Sequence, residues 1–431
     1  SPWADEGIGV VLGAEYRKEK LDFFADSAFS TGDLAGQGAP TLSVAGQFDV
    51  KELFTEVRIP IASDSWVYDF NITGGYRYSD YSTGAQTDTY KIEGEFAPIR
   101  DIRLRGGYNR AVRAPTVQDL FAPQRVALDG TTDPCSGAPI AAGDVGCLAQ
   151  GLRVGQTVAP NPAAQYNGLI GGNPNLVPEV ADTYTAGVVL QPRFLPGFNA
   201  SVDYFNIEVT GAIQGIGADT ILENCNRTQA DPFFCGLVVR DASGSLWRSS
   251  NGYVIDLSQN IGRLETSGVD VQANYTTDIG SLGRLGLSFL GTYLINLTTN
   301  PGVGDDVECV GKAGNVCGTP NPEWRHQARV SFDLPNGMGA SVRWRYFDPV
   351  AVDGGRPGAS RFDAQNYFDL ALNWAVGDNY NFRLGANNIL DREPPVTGSQ
   401  ACPAGFCNGN TFSQVYDALG RYIYAGVTLD F

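Results

Sequence analysis

Apolar and polar residues alternate with a period of two along much of this chain, which is the spacing expected for β-strands. The alternation is clearest in the segments 102–109, 269–276, 324–332, 367–374 and 421–431. In the last of these, one face carries Ile423, Ala425, Val427, Leu429 and Phe431, and the other carries Tyr422, Tyr424, Gly426, Thr428 and Asp430. About fourteen such stretches with turn residues between them predict an all-β, antiparallel fold.

The connections between these stretches separate a membrane barrel from a soluble sheet. Long connections are predicted near 21–46, 79–87, 111–179, 211–252, 298–322, 348–365 and 388–420, and they alternate with short ones near 62–65, 98–101, 191–197, 279–283, 334–337 and 376–379. Outer-membrane barrels have long extracellular loops and short periplasmic turns. An edge strand of a soluble β-sandwich would show the same alternation of residues, but a soluble fold has no reason to sort its connections. We therefore expect a transmembrane barrel with its long loops outside the cell.

Composition excludes several classes of function. A net charge of −17 and a pI near 4.5 argue against nucleic acid as a partner. With His326 as its single histidine, the chain has no material for a histidine-based metal site or a Ser-His-Asp triad. The acidic groups Asp305, Asp306 and Glu308, and Asp129 with Asp133, lack calcium-loop spacing, and we interpret them as solvated charge. We expect no enzyme activity, no metal and no cofactor.

Two further features concern the location of the chain. No run of eighteen apolar residues occurs, so no membrane helix is expected. No leader-like segment is present at Ser1, and we expect a mature form or a fragment.

The eight cysteines form four near-neighbour pairs: Cys135 with Cys147, Cys225 with Cys235, Cys309 with Cys317, and Cys402 with Cys407. Zinc knuckles need CxxC spacing, which these pairs lack. Four local disulfides in an oxidising compartment are the better interpretation. All eight cysteines fall in the long connections, which is the side predicted to face the outside.

Three segments, 102–121, 172–187 and 384–395, contain Arg-Ala-Pro, Asn-Pro-Asn-Leu-Val-Pro and Asn-Asn-Ile-Leu-Asp, respectively. In this order, and followed by the terminal strand, they resemble the barrel of TonB-dependent outer-membrane receptors. We interpret the three motifs themselves as anchors of loops. The terminal strand also looks like the membrane-assembly signal of outer-membrane proteins, which implies that Tyr422 and Phe431 are recognised by the barrel assembly machinery.

The resemblance implies a 22-stranded barrel that contains an N-terminal plug with a segment that binds TonB. This chain departs from that pattern, because about fourteen strands are found and neither a plug nor a TonB-binding segment. We expect residues 1–431 to be the C-terminal portion of such a barrel. The expected partners are outer-membrane lipid, the plug and the remaining strands, TonB acting through the plug, and a nutrient ligand. The terminal strand would then pair with a strand outside this sequence.

Three functions are compatible with this picture. The first is TonB-dependent uptake of a scarce, large nutrient, either a siderophore or an oligosaccharide, since segment 193–208 and the loop with Cys225 and Cys235 resemble a subgroup that includes both kinds of importer. The second is a passive channel lined by Arg103, Arg105, Arg343, Arg345 and Arg383. The third is a surface scaffold or adhesin.

Candidate ligand contacts are the loop aromatics Tyr166, Trp247, Tyr253, Phe406 and Phe412, because such rings stack on sugars and planar chelates. Phe233 and Phe234 belong to the same class, but we expect them to pack loops together beside Cys235. The acidic balance of the chain disfavours an anionic ligand unless basic residues cluster on the loops, which Arg125, Arg153, Arg227, Arg240, Arg248 and Lys312 could do.

Overall fold

The computed structural model describes residues 2–34, 40–227, 230–300, 302–303, 305–314, 317–353, 361–377, 379–396 and 410–429. The strands are β1 (Gly9–Phe23), β2 (Val44–Ser63), β3 (Asp69–Tyr81), β4 (Gln86–Ile99), β5 (Ile102–Arg113), β6 (Arg125–Gly130), β7 (Tyr166–Ile170), β8 (Glu179–Leu190), β9 (Phe198–Gln214), β10 (Val238–Val239), β11 (Tyr253–Ile255), β12 (Gln259–Asp278), β13 (Arg284–Asn300), β14 (Val307–Glu308), β15 (Lys312–Gly314), β16 (Gly318–Asn321), β17 (Trp324–Asp333), β18 (Met338–Phe347), β19 (Val350–Val352), β20 (Arg361–Phe362), β21 (Gln365–Val376), β22 (Tyr380–Asn387) and β23 (Tyr422–Leu429). The helices are α1 (Ser27–Ser30), α2 (Val117–Phe121), α3 (Val145–Ala149), α4 (Ala218–Arg227) and α5 (Pro232–Gly236).

One large antiparallel sheet dominates the fold. Its strands follow one another in the order β1-β2-β3-β4-β5-β8-β9-β12-β13-β17-β18-β21-β22-β23, and the short β14 is added beside β13. This antiparallel meander confirms the all-β prediction. Within the described residues, β1 pairs only with β2 and β23 pairs only with β22, so the two outer strands each have one neighbour.

Consecutive antiparallel strands place their connections alternately at two ends of the sheet. One end carries short links such as the turn between β17 and β18, where Gly337 has a φ of +81° that favours glycine. The other end carries long links, including 114–178 between β5 and β8 and 215–258 between β9 and β12. The link between β3 and β4 is shorter than predicted, because β3 continues to Tyr81 and β4 begins at Gln86.

The two faces of the sheet differ in polarity. A cavity of about 730 Å³ is lined by side chains from β3 to β13, among them Thr73, Arg105 and Asp270, so this polar face is concave. The opposite, convex face carries apolar side chains that remain open to the surroundings, such as Leu12 at 79 % and Ile423 at 66 % exposure. An apolar outside around a polar inside is the arrangement of a membrane barrel.

Aromatic side chains cluster on the convex face near the long connections. The ring of His326 stacks on Phe289 at 5.5 Å and on Tyr346 at 5.2 Å, and it meets the edge of Trp344 at 4.4 Å. The Tyr346 hydroxyl donates to Asp348 at 2.8 Å, just beyond the end of the strand. Rings with an apolar body and a polar tip favour the boundary between lipid and water.

The helices in the described residues contain between 4 and 10 residues each. Among the described residues, none is long and apolar enough to span a membrane.

The polarity of the two faces leads to a test with neighbouring residues on β18. Val342 lies on the convex face and is 47 % exposed, whereas Ser341 lies on the concave face. We predict that Val342→Arg destabilises the protein folded into phospholipid vesicles by about 2–4 kcal/mol, the cost of arginine near the middle of a bilayer. Ser341→Arg is the matched control and should change the free energy of unfolding much less. Equal costs would show that the convex face does not contact lipid.

Candidate functional site

The long connections at one end of the sheet fold into two compact bodies. The first loop body consists of the described residues of 114–178 and 215–258, which lie between β5 and β8 and between β9 and β12. The second loop body consists of the described residues of 302–323, 348–364 and 388–421. Both bodies are built from more than one connection, and they form the surface that a ligand approaching this end would meet.

A shared sheet joins the two connections of the first loop body. β7 from the first connection pairs in parallel with β11 from the second, with Val254 beside Gly168, and β6 and β10 complete the order β10-β11-β7-β6. Beneath it, Ile221, Leu222 and Leu246 form a core with no exposed surface. Disulfides join Cys135 to Cys147 and Cys225 to Cys235, as predicted.

A buried ion pair also crosses between the two connections of the first loop body. The Arg240 guanidinium donates to both carboxylate oxygens of Asp133 at 2.8 Å, and the two side chains are 3 % and 0 % exposed. Arg240 also donates to Gln150 Oε1 and to the Gly244 carbonyl, each at 2.8 Å. Its donors are therefore directed at partners inside the body, and removal of one partner would leave a buried charge.

The segments that resemble receptor motifs anchor this body to the sheet. Pro115 ends β5, and Thr116 then caps α2 through a hydrogen bond from the Asp119 amide at 3.1 Å. Phe121 of α2 packs over Gly46 on β2, a position where a Cβ atom would lie 2.5 Å from the ring. At the strand ends, Arg113 forms two hydrogen bonds to Glu179, at 2.5 and 2.6 Å.

The second loop body has its own core and its own link to the sheet. Val350, Phe362, Phe412 and Tyr416 pack together beside the sheet β16-β15-β19-β20, and the predicted disulfide joins Cys309, before β15, to Cys317, before β16. The fourth predicted pair, Cys402 with Cys407, lies outside the described residues, as do Phe406 and Phe431.

Two polar anchors connect the second loop body to the barrel strands. Asn388 has no exposed surface, its backbone amide donates to Asp369 on β21 at 2.8 Å, and its side chain is bonded at 2.8 Å to both the amide and the carbonyl of Arg392. Arg345 on β18 donates to Asp417 at 2.6 and 2.9 Å and also to Asp369 on β21. The Asn-Asn-Ile-Leu-Asp segment therefore fixes the start of the last long connection.

The candidate aromatic contacts differ in how far their side chains are exposed. Tyr166 is 3 % exposed and Phe412 has no exposed surface, so both belong to the cores of the loop bodies and offer no area to a ligand in this conformation. Trp247 and Tyr253 are half-buried. The Trp247 indole donates to the Ala159 carbonyl at 3.1 Å, and the Arg248 guanidinium lies 5.4 Å above its ring. Phe234 packs against the first core, and Phe233 beside it is 50 % exposed.

The basic loop residues do not form one cluster. Arg240 is buried in the first loop body, whereas Lys312 lies in the second and donates to the Glu308 carbonyl at 2.6 Å. Arg125 begins β6, where its buried Nε has no partner among the described residues.

Carboxylates converge where the two connections of the first loop body meet. Asp129 lies on β6, and Asp256 follows β11 and accepts from the Ile216 and Gly217 amides at 2.8 and 3.1 Å. Burial, together with the neighbouring Asp256 charge, raises the pKa of Asp129 to about 6. Burial also acts to raise the pKa of Asp219, but hydrogen bonds from Thr131 and Thr132 outweigh it and lower that pKa. Asp129 therefore gains a proton more readily than Asp219.

Comparison with known proteins identifies relatives of this fold. Residues 3–389 match the family described as TonB dependent receptor-like, beta-barrel. No curated protein sequence matches the chain significantly.

Solved structures similar to this chain include siderophore receptors and an iron transporter. A ferric enterobactin receptor variant from Pseudomonas aeruginosa has 16 % identity and a TM-score of 0.64 over 98 % of this chain and 51 % of its own. The siderophore receptor PirA from Acinetobacter baumannii has 14 % identity and a TM-score of 0.61 over 98 % and 52 %. The FrpB iron transporter from Neisseria meningitidis has 14 % identity and a TM-score of 0.55 over 99 % and 53 %. This chain spans about half the length of these structures.

The buried ion pair gives the first prediction for the loop bodies. Asp133→Asn leaves the buried Arg240 charge with neutral partners alone, and we expect the first loop body to lose about 3–5 kcal/mol of stability. Hydrogen exchange of the β7 and β11 amides measures this loss directly. Asp278→Asn, at the exposed pair with Arg284, is the control and should leave exchange unchanged. Equal protection in Asp133→Asn and the parent protein would contradict a structural role for the pair.

The raised pKa of Asp129 gives the second prediction for the loop bodies. A carboxyl group whose pKa is higher in the folded state than its ordinary value of 3.8 supports folding at low pH, and this contribution is lost as pH rises from about 4 through about 6. We expect slower exchange of the β6 and β7 amides at pH 5 than at pH 7.5, after correction for intrinsic rates. Asp129→Asn should abolish the pH dependence, whereas Glu393→Gln in the second loop body should retain it. An unchanged pH dependence in Asp129→Asn would exclude Asp129 as its source.

Proposed function

This chain belongs to the TonB-dependent receptor-like β-barrel family, and we propose that it forms the wall and outer loops of a receptor that imports a scarce, large nutrient across the bacterial outer membrane. The long connections would lie outside the cell, with the convex face in lipid. TonB would act through a plug that occupies the concave side. The observation that carries this proposal is the family match over residues 3–389.

The loop bodies support a receptor more than an open pore. Two disulfides, a buried ion pair and a continuous core hold the first body together, which limits the entropy that a ligand must remove on binding. The half-exposed Phe233 and the half-buried Trp247 and Tyr253 belong to this body and are the aromatic contacts we propose for the ligand. Tyr166 and Phe412 would support the two bodies from inside.

The proposed substrate is a siderophore or an oligosaccharide. The solved structures similar to this chain include receptors whose names specify ferric enterobactin and siderophores, which favours the first class. At 14–16 % identity these structures are similar in fold, so the substrate assignment rests on experiment.

Deletion of the gene in the source bacterium, with growth on single iron or glycan sources, tests the proposed function. We expect growth to fail on one such source and to return with the parent gene, but only in a strain that has functional TonB. The Trp247→Ala variant should weaken uptake, and Trp66→Ala, in the short link between β2 and β3, is the control. Growth that needs the gene but not TonB would indicate a passive channel, and unchanged growth on every source would exclude import.

A further inference from the structure

Charges on the concave face are balanced along the first half of the sheet. Arg77 pairs with Glu52 at 2.9 Å, Lys91 with Glu56 at 3.0 Å, and Arg105 with Asp203 at 2.7 Å. Arg103 likewise pairs with Glu95 at 3.1 Å. Cations on this wall therefore have carboxylates of the same wall as partners.

The concave face of β17, β18, β21 and β22 is different. It carries the five arginines Arg325, Arg329, Arg343, Arg345 and Arg383 against the two aspartates Asp333 and Asp369, and Asp417 of the second loop body adds a third carboxylate beside Arg345. Asp369 accepts from both Arg343 and Arg345, at 2.8 and 2.9 Å. Within the described part of the chain, Arg325, Arg329 and Arg383 take part in no ion pair.

The register of the strands places two of these positive charges directly opposite each other. Arg329 on β17 lies directly opposite Arg343 on β18. Like charges at directly opposed positions repel and destabilise a sheet unless an anion lies between them. Asp369 is opposite Arg343 on the next strand, so it is placed on the far side from Arg329.

The arginines also form an ordered series along the strands. Residues that lie opposite one another on neighbouring strands form a row across the sheet. The row next to the short turn contains Arg383, Asn373 and Gly339. The row of Arg329 and Arg343 lies four residues further along each strand. Arg345 follows, and then the row of Arg325, Phe347 and Gln365. At about 3.3 Å per residue, the rows of Arg383 and Arg325 are roughly 26 Å apart, which approaches the thickness of a membrane.

The upper end of this series meets the second loop body. Gln365 lines a cavity of about 630 Å³ together with Arg361, Asp363 and Arg392. Arg392 donates to Gln365 at 3.2 Å. A solute that enters between the loops would therefore meet the row of Arg325 first.

We propose that this arginine wall, Arg325, Arg329, Arg343, Arg345 and Arg383, binds carboxylate groups of the imported solute and guides them from the loop end to the short-turn end. The inference rests on the proposed function and narrows the cargo to carboxylate-bearing, anionic solutes. Guanidinium groups suit this role because their planar donors match a carboxylate in a bidentate manner. Several successive sites let an anion move on without being trapped at any one of them.

Citrate is the probe, titrated by calorimetry into the complete gene product in detergent at low ionic strength. The test variant replaces the three unpaired arginines, Arg325, Arg329 and Arg383, with glutamine. A matched variant replaces Arg58, Lys91 and Arg103 with glutamine, which removes the same charge from paired positions on the opposite wall. Correct folding of both is checked by heat-modifiable migration in electrophoresis.

We expect the parent protein to bind citrate with an affinity that falls as NaCl is raised. The test variant should bind at least tenfold more weakly, and the matched variant should remain within twofold of the parent. Equal losses in both variants would indicate a general effect of net charge and overturn the proposal. A third result is that the parent binds no citrate while the test variant melts at a lower temperature. That result would overturn the proposal and indicate that the arginines pair with acidic groups of the protein's own plug.

The experiments distinguish a wrong assignment of the arginine wall from a wrong assignment of the import function. The growth experiments depend on the gene and on TonB, whereas the titration depends only on the charge of one wall. A receptor that supports growth but binds citrate equally in all three forms would keep its function and lose this inference.

Discussion

A strand that crosses hydrocarbon must have its peptide N–H and C=O groups paired, because no water is present to replace a missing partner. This requirement fixes the register of the whole meander. β5 and β8 are separated by 65 residues of connection, yet they pair without a shift from Ile102 opposite Leu190 to Arg113 opposite Glu179. A slip of one residue would turn every apolar side chain of a strand toward the polar side. The same rule applies at the edges, where β1 and β23 each present an unpaired row of peptide groups within the described residues.

The sheet could be predicted from the sequence because its information is local. Alternation around Val342 or Val427, turn residues such as Gly337, and cysteines spaced eight to twelve residues apart each specify their own segment. The loop bodies could not be predicted, since their cores join residues from separate connections. β7 and β11 are too short to show a period, and their parallel pairing follows only from the packing of Val254 near Ile221. For the same reason, Tyr166 and Phe412 look like ligand contacts in sequence, although the fold buries them.

Charge pairing on the concave face also depends on contacts between separate segments, which the local sequence does not predict. Alternation predicts that Arg105 and Arg343 both face inward, and the structure places both on the concave face. Whether each is neutralised depends on the neighbouring strand, because Arg105 reaches Asp203 across β8, whereas Arg329 meets Arg343. Of the inward arginines predicted from the sequence, Arg103 and Arg105 each pair with a carboxylate, Arg343 and Arg345 share Asp369, and Arg383 forms no ion pair among the described residues. Positive charge therefore exceeds negative charge on the concave face of β17, β18, β21 and β22.

The position of Arg345 connects this wall to the outer loops. Its guanidinium is shared between Asp369 on the neighbouring strand and Asp417 in the second loop body. Any movement of that body which withdraws Asp417 removes a carboxylate from the arginine wall and leaves its positive charge larger. Because Asp369 already serves Arg343, it cannot compensate for the loss. A ligand that displaces Asp417 would therefore strengthen the attraction of the wall for an anion. In this arrangement a single side chain couples the geometry of the loops to the charge of the path beneath them.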